Sequence, residues 1–180
     1  MFQILQAREK ERQKCSWQRS YGQDKDHPGV RPEDDFGGKM MVRKVKKDDR
    51  KQYLSLMREM YDSPAVLHPI PDSYMEKTVD LMVEGSPFID GYLLECNGET
   101  AGYALLSVSY SSESGGLVLW VEEVYIAEAC RSEGLGREFF AFIEEEYAGK
   151  VARIRLEVEK SNVRASELYR RLGYEELKYT

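Results

Sequence analysis

The sequence predicts an α/β fold of the α+β kind: a mixed, mostly antiparallel sheet with four flanking helices. Three observations point to it. Asn97-Gly98 sits between apolar stretches in "IDGYLLECNGETAGYALLSVSY", the pattern of a hairpin with a type I′ turn. "LVLWVEEVYI" is apolar on both faces, as a central strand is, and leads through a glycine turn into a helix and then the alternating "ARIRLEVE". Four apolar stripes recur at helical spacing along the chain.

Each element has its own signals. Residues 1–39 stand apart: "QAREKERQKCSWQRS" is charged and helix-competent, and "YGQDKDHPGVRPEDDFGGK" is polar with several Gly and Pro. This composition predicts a poorly ordered leader, with the folded domain spanning 40–180. "MMVRKV" is a short strand. Asp48 or Asp49 can cap the next helix, whose stripe is Tyr53, Leu56, Met57, Met60 and Tyr61. The prolines of "SPAVLHPIPDS" end it. Ser73 and Glu76 have capping-box spacing for a second helix with the stripe Met75, Val79, Met82 and Val83, stopped by Gly85. After the hairpin and the central strand, Leu135, Phe139, Phe142 and Ile143 form the stripe of a third helix. Ile154, Leu156 and Val158 then mark one face of a strand, and Arg153, Arg155, Glu157 and Glu159 the other. Asn162 caps a fourth helix with the stripe Ala165, Leu168, Tyr169 and Leu172, ended by Gly173, and "YEELKYT" is a last short strand.

With 180 residues, 42% apolar and 32% charged, the chain reads as one soluble domain. A net charge of −6 argues against a general grip on nucleic acid and leans toward a cationic partner. Cys15, Cys96 and Cys130 are odd in number and widely spaced, which suits a reducing compartment and no zinc cluster. The two histidines, His27 and His68, make no His-rich metal site, so no metal is expected. No apolar run approaches the ~20 residues of a membrane span, and no signal-peptide stretch opens the chain. The expected location is the cytoplasm.

The chemistry concentrates in "RSEGLGREFF". Gly134 and Gly136 fall where a strand gives way to a helix, whose first N–H groups are unpaired and whose dipole end is positive. Arg131 and Arg137 add forks for phosphate oxygens, so a pyrophosphate is the natural guest. A Rossmann site needs a third glycine where Phe139 stands, although Glu157 lies near the place of a ribose-binding acid, about 20 residues on. No P-loop motif occurs. A Rossmann-like nucleotide-binding domain stays as an alternative.

The R-x-x-G-x-G turn between strand and helix resembles the acyl-CoA pyrophosphate loop of the GNAT superfamily of N-acetyltransferases. "NVRASELYRRLGYEE" is similar to that family's N-x-x-A-x-x-L-Y-x-x-x-G-[FY] segment, and the likeness extends to "MVRKVKKDDRKQY" and "GYLLECNGETAGYALL", covering about residues 41–180. The resemblance implies a sheet whose central strands splay apart, with acetyl-CoA as co-substrate and direct attack by a primary amine in a ternary complex. It implies that backbone groups of Val124, Tyr125 and Ile126 hold the pantetheine arm. Arg131, Gly134, Gly136, Arg137 and the backbone of Glu133 would hold the pyrophosphate, and Asn162 would face the CoA arm. Ser132 and Glu133 stand where the family often has Gly and Lys. Glu122 and Glu123 are the implied bases. Adjacent strand residues face opposite ways unless a bulge intervenes, and the position nine before Arg131 favours Glu122. Tyr169 matches the tyrosine beside the thioester sulfur. The implied partner is a small-molecule or peptide amine, with no nucleic acid or membrane, and homodimers are common in the family. A non-catalytic acyl-CoA sensor is the other reading of the same motifs.

Overall fold

The computed structural model describes residues 2–7, 40–63, 66 and 68–177. Among them, seven strands build one sheet: β1 (Phe2–Ala7), β2 (Met40–Lys44), β3 (Ile89–Cys96), β4 (Glu99–Ser111), β5 (Gly116–Ile126), β6 (Arg153–Glu159) and β7 (Tyr174–Glu176). The order across the sheet is β2-β3-β4-β5-β6-β1-β7. Only β5 and β6 pair in parallel; the other pairs are antiparallel. The helices are α1 (Arg50–Tyr61), α2 (Asp72–Val83), α3 (Leu135–Glu146) and α4 (Val163–Arg171).

The sheet separates two cores. On one face Tyr53, Met57, Met75, Val79 and Met82 of α1 and α2 pack on Leu93, Tyr103 and Leu105. On the other, Leu135, Phe139, Phe140 and Ile143 of α3 pack on Leu94, Leu106, Leu119, Leu156 and Val158, with Ala165, Tyr169 and Leu172 of α4 at the margin.

Most local signals are realised. Asn97 (φ 55°) and Gly98 (φ 82°) both take the left-handed conformation that a type I′ turn demands. The Asn162 side chain accepts from the Ala165 amide at 3.2 Å and caps α4. Two caps differ from expectation. The α2 helix begins at Asp72 because the Pro71 carbonyl accepts from the Tyr74 amide, so Ser73 lies inside the first turn and forms no capping box. Asp49 precedes α1, but its carboxylate is taken by the Arg43 guanidinium, at 2.7 and 2.9 Å, and by the Lys46 amide.

The larger difference is at the start of the chain. Residues 1–39 are expected from composition to be a poorly ordered leader outside the domain, yet Phe2–Ala7 form a strand between β6 and β7. The pairing runs Gln3 with Val158, Ile4 with Glu157, Leu5 with Leu156, and then Leu5–Ala7 with Glu176–Tyr174. Leu5 enters the α3 core. Residues 8–39 of the expected leader lie outside the described residues.

Two irregularities interrupt the centre of the sheet. The β4–β5 register runs Leu105 with Glu123 and then Leu106 with Val121, so Glu122 is an extra residue, a β-bulge. At the same level the β5–β6 pairing stops: Val121 with Leu156 is its last pair, while β5 runs on to Ile126 and β6 to Glu159. A bulge bends and twists its strand, which turns the far half of β5 away from β6.

Gly102 lets β4 follow that bend. A Cβ there would sit 2.2 Å from the Tyr125 carbonyl oxygen, a backbone atom with little room to retreat. Gly102→Val is expected to cost about 1–3 kcal/mol, lowering Tm by roughly 3–10 °C in a chain of this size. Scanning calorimetry of the variant against the parent measures it.

Candidate active site

Beside the bulge lies a cavity of about 690 Å³ lined by Met60, Tyr61, Val66, His68, Thr78, Leu81, Ile89, Leu105, Ser107, Glu122 and Glu123. Its walls come from the end of α1, the connection to α2, α2 itself, and strands β3, β4 and β5. The bulge is why both glutamates reach it. In a regular strand, neighbours face opposite ways; the extra residue brings Glu123 round to the same side as Glu122.

The two carboxylates have different surroundings. Glu122 is exposed and accepts from the Ser107 hydroxyl at 2.5 Å. Glu123 is partly buried and accepts one phenol on each oxygen: Tyr61 on Oε1 and Tyr103 on Oε2, both at 2.7 Å. Burial, the largest influence, pushes the Glu123 carboxyl above the usual range; the two phenols pull it down and the Glu122 charge pushes it up. Among the described residues, no lysine or arginine lines the cavity. Burial and the Glu123 charge in turn raise the Tyr61 and Tyr103 hydroxyls, so both stay protonated and keep donating.

Past the bulge, β5 shows one edge to β4 and the other to the gap. The Ala127 amide donates to the Ala101 carbonyl at 2.8 Å, and antiparallel pairs alternate. The backbone groups of Tyr125 therefore face β4, and those of Val124 and Ile126 face the gap. The Ile126 carbonyl there accepts from Arg131 Nε at 2.9 Å, which ties the exposed Arg131 to the end of the strand.

The glycine turn closes the foot of the gap. Ser132 (φ 72°) and Gly134 (φ 88°) both adopt the left-handed conformation. Gly134 is the N-cap of α3 and brings no side-chain acceptor, so the first-turn amides of that helix are left for another partner. Gly136 has a packing reason as well: a Cβ there would lie 3.1 Å from Leu168 of α4. Arg164 donates to the Ser132 hydroxyl at 2.9 Å, a cation at the turn that the sequence pattern does not single out. Arg137 and Glu133 are exposed, and Arg137 lies 3.6 Å from its neighbour Glu138.

Tyr169 approaches from the other face of the sheet. Its ring stands 5.3 Å from that of Phe140 and 6.2 Å from that of Tyr174, and burial pushes its hydroxyl up to about 12. Among the described residues, no group of three or more His, Cys, Asp or Glu side chains is placed to hold a metal ion. No described helix is long and apolar enough to cross a membrane.

Residues 53–174 match the family model described as Acetyltransferase (GNAT) family. The chain belongs to the GNAT acetyltransferase family. A curated relative, the thialysine N-epsilon-acetyltransferase of Bos taurus, is 28% identical over 147 residues, covering 77% of this chain and 85% of its own length. Two solved GNAT-fold structures show the likeness in three dimensions. A possible acetyltransferase from Clostridium difficile 630 superposes with a TM-score of 0.66 at 19% identity, over 78% of this chain and 93% of its own. AAC(6')-Iy, in complex with a bisubstrate analog, gives 0.67 at 15% identity, over 79% of this chain and 95% of its own. At those identities the two structures speak to the fold alone.

Within this GNAT domain, the residues read from sequence fall around two places. Glu122 and Glu123 line the cavity; Val124, Ile126, Arg131, Gly134 and Gly136 border the gap and its foot. Asn162 is occupied as a helix cap. Sequence reasoning misses Tyr61 and Tyr103 as partners of Glu123. They lie 62 and 20 residues away from it, and in sequence each reads as an apolar position of its element.

Proposed function

We propose that the protein transfers an acetyl group from acetyl-CoA to a primary amine by direct attack while both substrates are bound. The observation that carries this is Glu123: a carboxylate with no cationic partner among the described cavity residues, held by two hydroxyls, at the level where β5 and β6 part.

The gap and its foot suit acetyl-CoA in their donor chemistry. The Val124 amide and carbonyl and the Ile126 amide face the gap along one edge, matching an amide-bearing pantetheine arm. The amides of the α3 start, with Arg131, Arg137 and Arg164 nearby, match a diphosphate. Bound acetyl-CoA supplies an acetyl thioester. The chain's own residues do the rest. A lysine-like amine has a pKa near ~10, so at neutral pH only about one molecule in a thousand is ready to attack. Glu123, whose carboxyl burial pushes above the usual carboxylate range, takes the amine's proton. The Tyr169 hydroxyl, protonated at neutral pH, is the donor available on the opposite face. Glu122, exposed and bonded to the neutral Ser107 hydroxyl, offers the acceptor a negative charge, so we read the acceptor as a small cationic amine.

Purified protein with acetyl-CoA and a panel of aliphatic diamines, amino acids including thialysine, aminoglycosides and lysine peptides should release free thiol with at least one acceptor. Binding of acetyl-CoA without turnover across the panel would favour the sensor reading. Absence of acetyl-CoA binding would end both.

A pH profile tests the base. The Tyr61 hydroxyl stabilises the charged form of Glu123, so Tyr61→Phe lifts the carboxyl further. The acidic limb of kcat/KM is expected to move to higher pH, with acetyl-CoA affinity unchanged.

A further inference from the structure

The outer wall of the gap is the end of β6, and its pairing is one-sided. Arg153–Leu156 pair with β5, but Glu157–Glu159 have no partner on that side among the described residues. Their ladder is to β1: Ile4 with Glu157, Gln3 with Val158 and Phe2 with Glu159. The same strand holds β7, and the Ile4 carbonyl accepts from the Leu177 amide at 2.9 Å. Gln3 also reaches α4, the helix of Tyr169, through a long contact of 3.5 Å to the Ser166 hydroxyl. Without β1, the far half of β6 would be bare on both edges, a state extended chain does not hold in water.

This strand is lightly held for the work it does. Among its described side chains only Leu5 is buried. Gln6 pairs in register with Arg155, and each carries a buried polar atom without a partner among the described residues: Gln6 Oε1, an acceptor, and Arg155 Nε, a donor. A joint with unsatisfied groups on both sides gives back part of what the ladder gains. Residues 8–39 then separate Ala7 from β2, at the opposite edge of the sheet, so the strand is joined to the domain by a long stretch of chain.

We infer that residues 2–7 are a positioning element of the acetyl-CoA cleft, and that the docking of this N-terminal strand and acetyl-CoA binding reinforce each other. The inference rests on the proposed function for its ligand. Its physical basis is linkage: a ligand that needs the β6 wall in place binds best to the strand-docked state, and so favours docking by the same factor.

The test compares the full chain with one lacking residues 1–7 by titration with acetyl-CoA. The shortened protein is expected to bind more weakly by about 5- to 150-fold, the usual range of coupling between two sites. A synthetic FQILQA peptide added to it should recover affinity. Equal affinity of the two proteins overturns the inference. If the shortened protein does not fold, amide exchange on the intact chain decides. Acetyl-CoA should slow exchange at Gln3–Gln6 and at Glu157–Glu159, and unchanged rates at both segments overturn the coupling. An intact chain that binds acetyl-CoA while the strand proves irrelevant leaves the functional proposal standing. An intact chain that does not bind it removes both.

Discussion

Replacing Glu123 by Gln is expected to lower kcat by about 10²–10⁴-fold, the usual contribution of a positioned acid–base group. Acetyl-CoA affinity should be unchanged, because the cavity and the gap are bordered by different residues. The variant keeps a side chain of the same shape between Tyr61 and Tyr103, so the loss reports on proton transfer rather than packing. Stability should move the other way. Burial holds the Glu123 pKa above its unfolded value. Its contribution to stability is therefore full below the unfolded carboxylate pKa and is lost as pH rises through the folded one. Above the folded pKa that contribution is gone, and the uncharged Gln does not suffer the loss. The variant is expected to melt at the same temperature as the parent or higher at pH 7, the difference closing below about pH 4. A variant as active as the parent would move the role of base to Glu122.

Gly134→Asp is the second large effect, and it should separate binding from folding. Gly134 caps α3 with no side-chain acceptor and a φ of 88°. An aspartate there meets two opposing local effects: the left-handed conformation costs about 1–2 kcal/mol, and capping the bare amides returns about 1 kcal/mol. Tm should therefore shift by only a few degrees. The ligand sees something different. The carboxylate occupies the amides proposed for the diphosphate and repels it, and affinity for acetyl-CoA should fall about 10- to 100-fold, equivalent to about 1.4–2.8 kcal/mol. Titration calorimetry with acetyl-CoA and with CoA reads the loss. Unchanged affinity would mean that the α3 start is not the anion site.

Much of this molecule is legible in its sequence because the determining residues are neighbours in the chain. Asn97-Gly98 forces its own turn, Asn162 caps its own helix, and the glycines of "RSEGLGREFF" leave the amides of their own helix bare. The fold class emerges from such local devices placed in order. What escapes notice depends on distant partners. The strand Phe2–Ala7 is six residues long with one buried side chain among those described, Leu5, and its stability comes from pairing with β6 and β7, at the other end of the chain. No period-two alternation marks it. Tyr61 and Tyr103 look like any aromatic in an apolar stripe; only folding brings both hydroxyls to one carboxylate. The glutamate pair is visible in sequence, but which of the two is buried is not. Counting back from Arg131 favours Glu122, whereas the bulge leaves Glu122 in the open and turns Glu123 inward. Spacing alone assigns Gly136 to the ligand, yet Leu168 also crowds the site, 3.1 Å from where a Cβ would stand.

The extra residue at Glu122 behaves like a frameshift written in three dimensions. Everything downstream of it in β5 is turned over: Tyr125 packs toward α1, while Val124 and Ile126 pack toward α3. Pair the same residues without the bulge and the assignments trade places, with Glu123 driven among the phenylalanines and Val124 set where a charge is needed. The proposed chemistry thus depends on where β5 takes up its extra residue at least as much as on what most of its residues are.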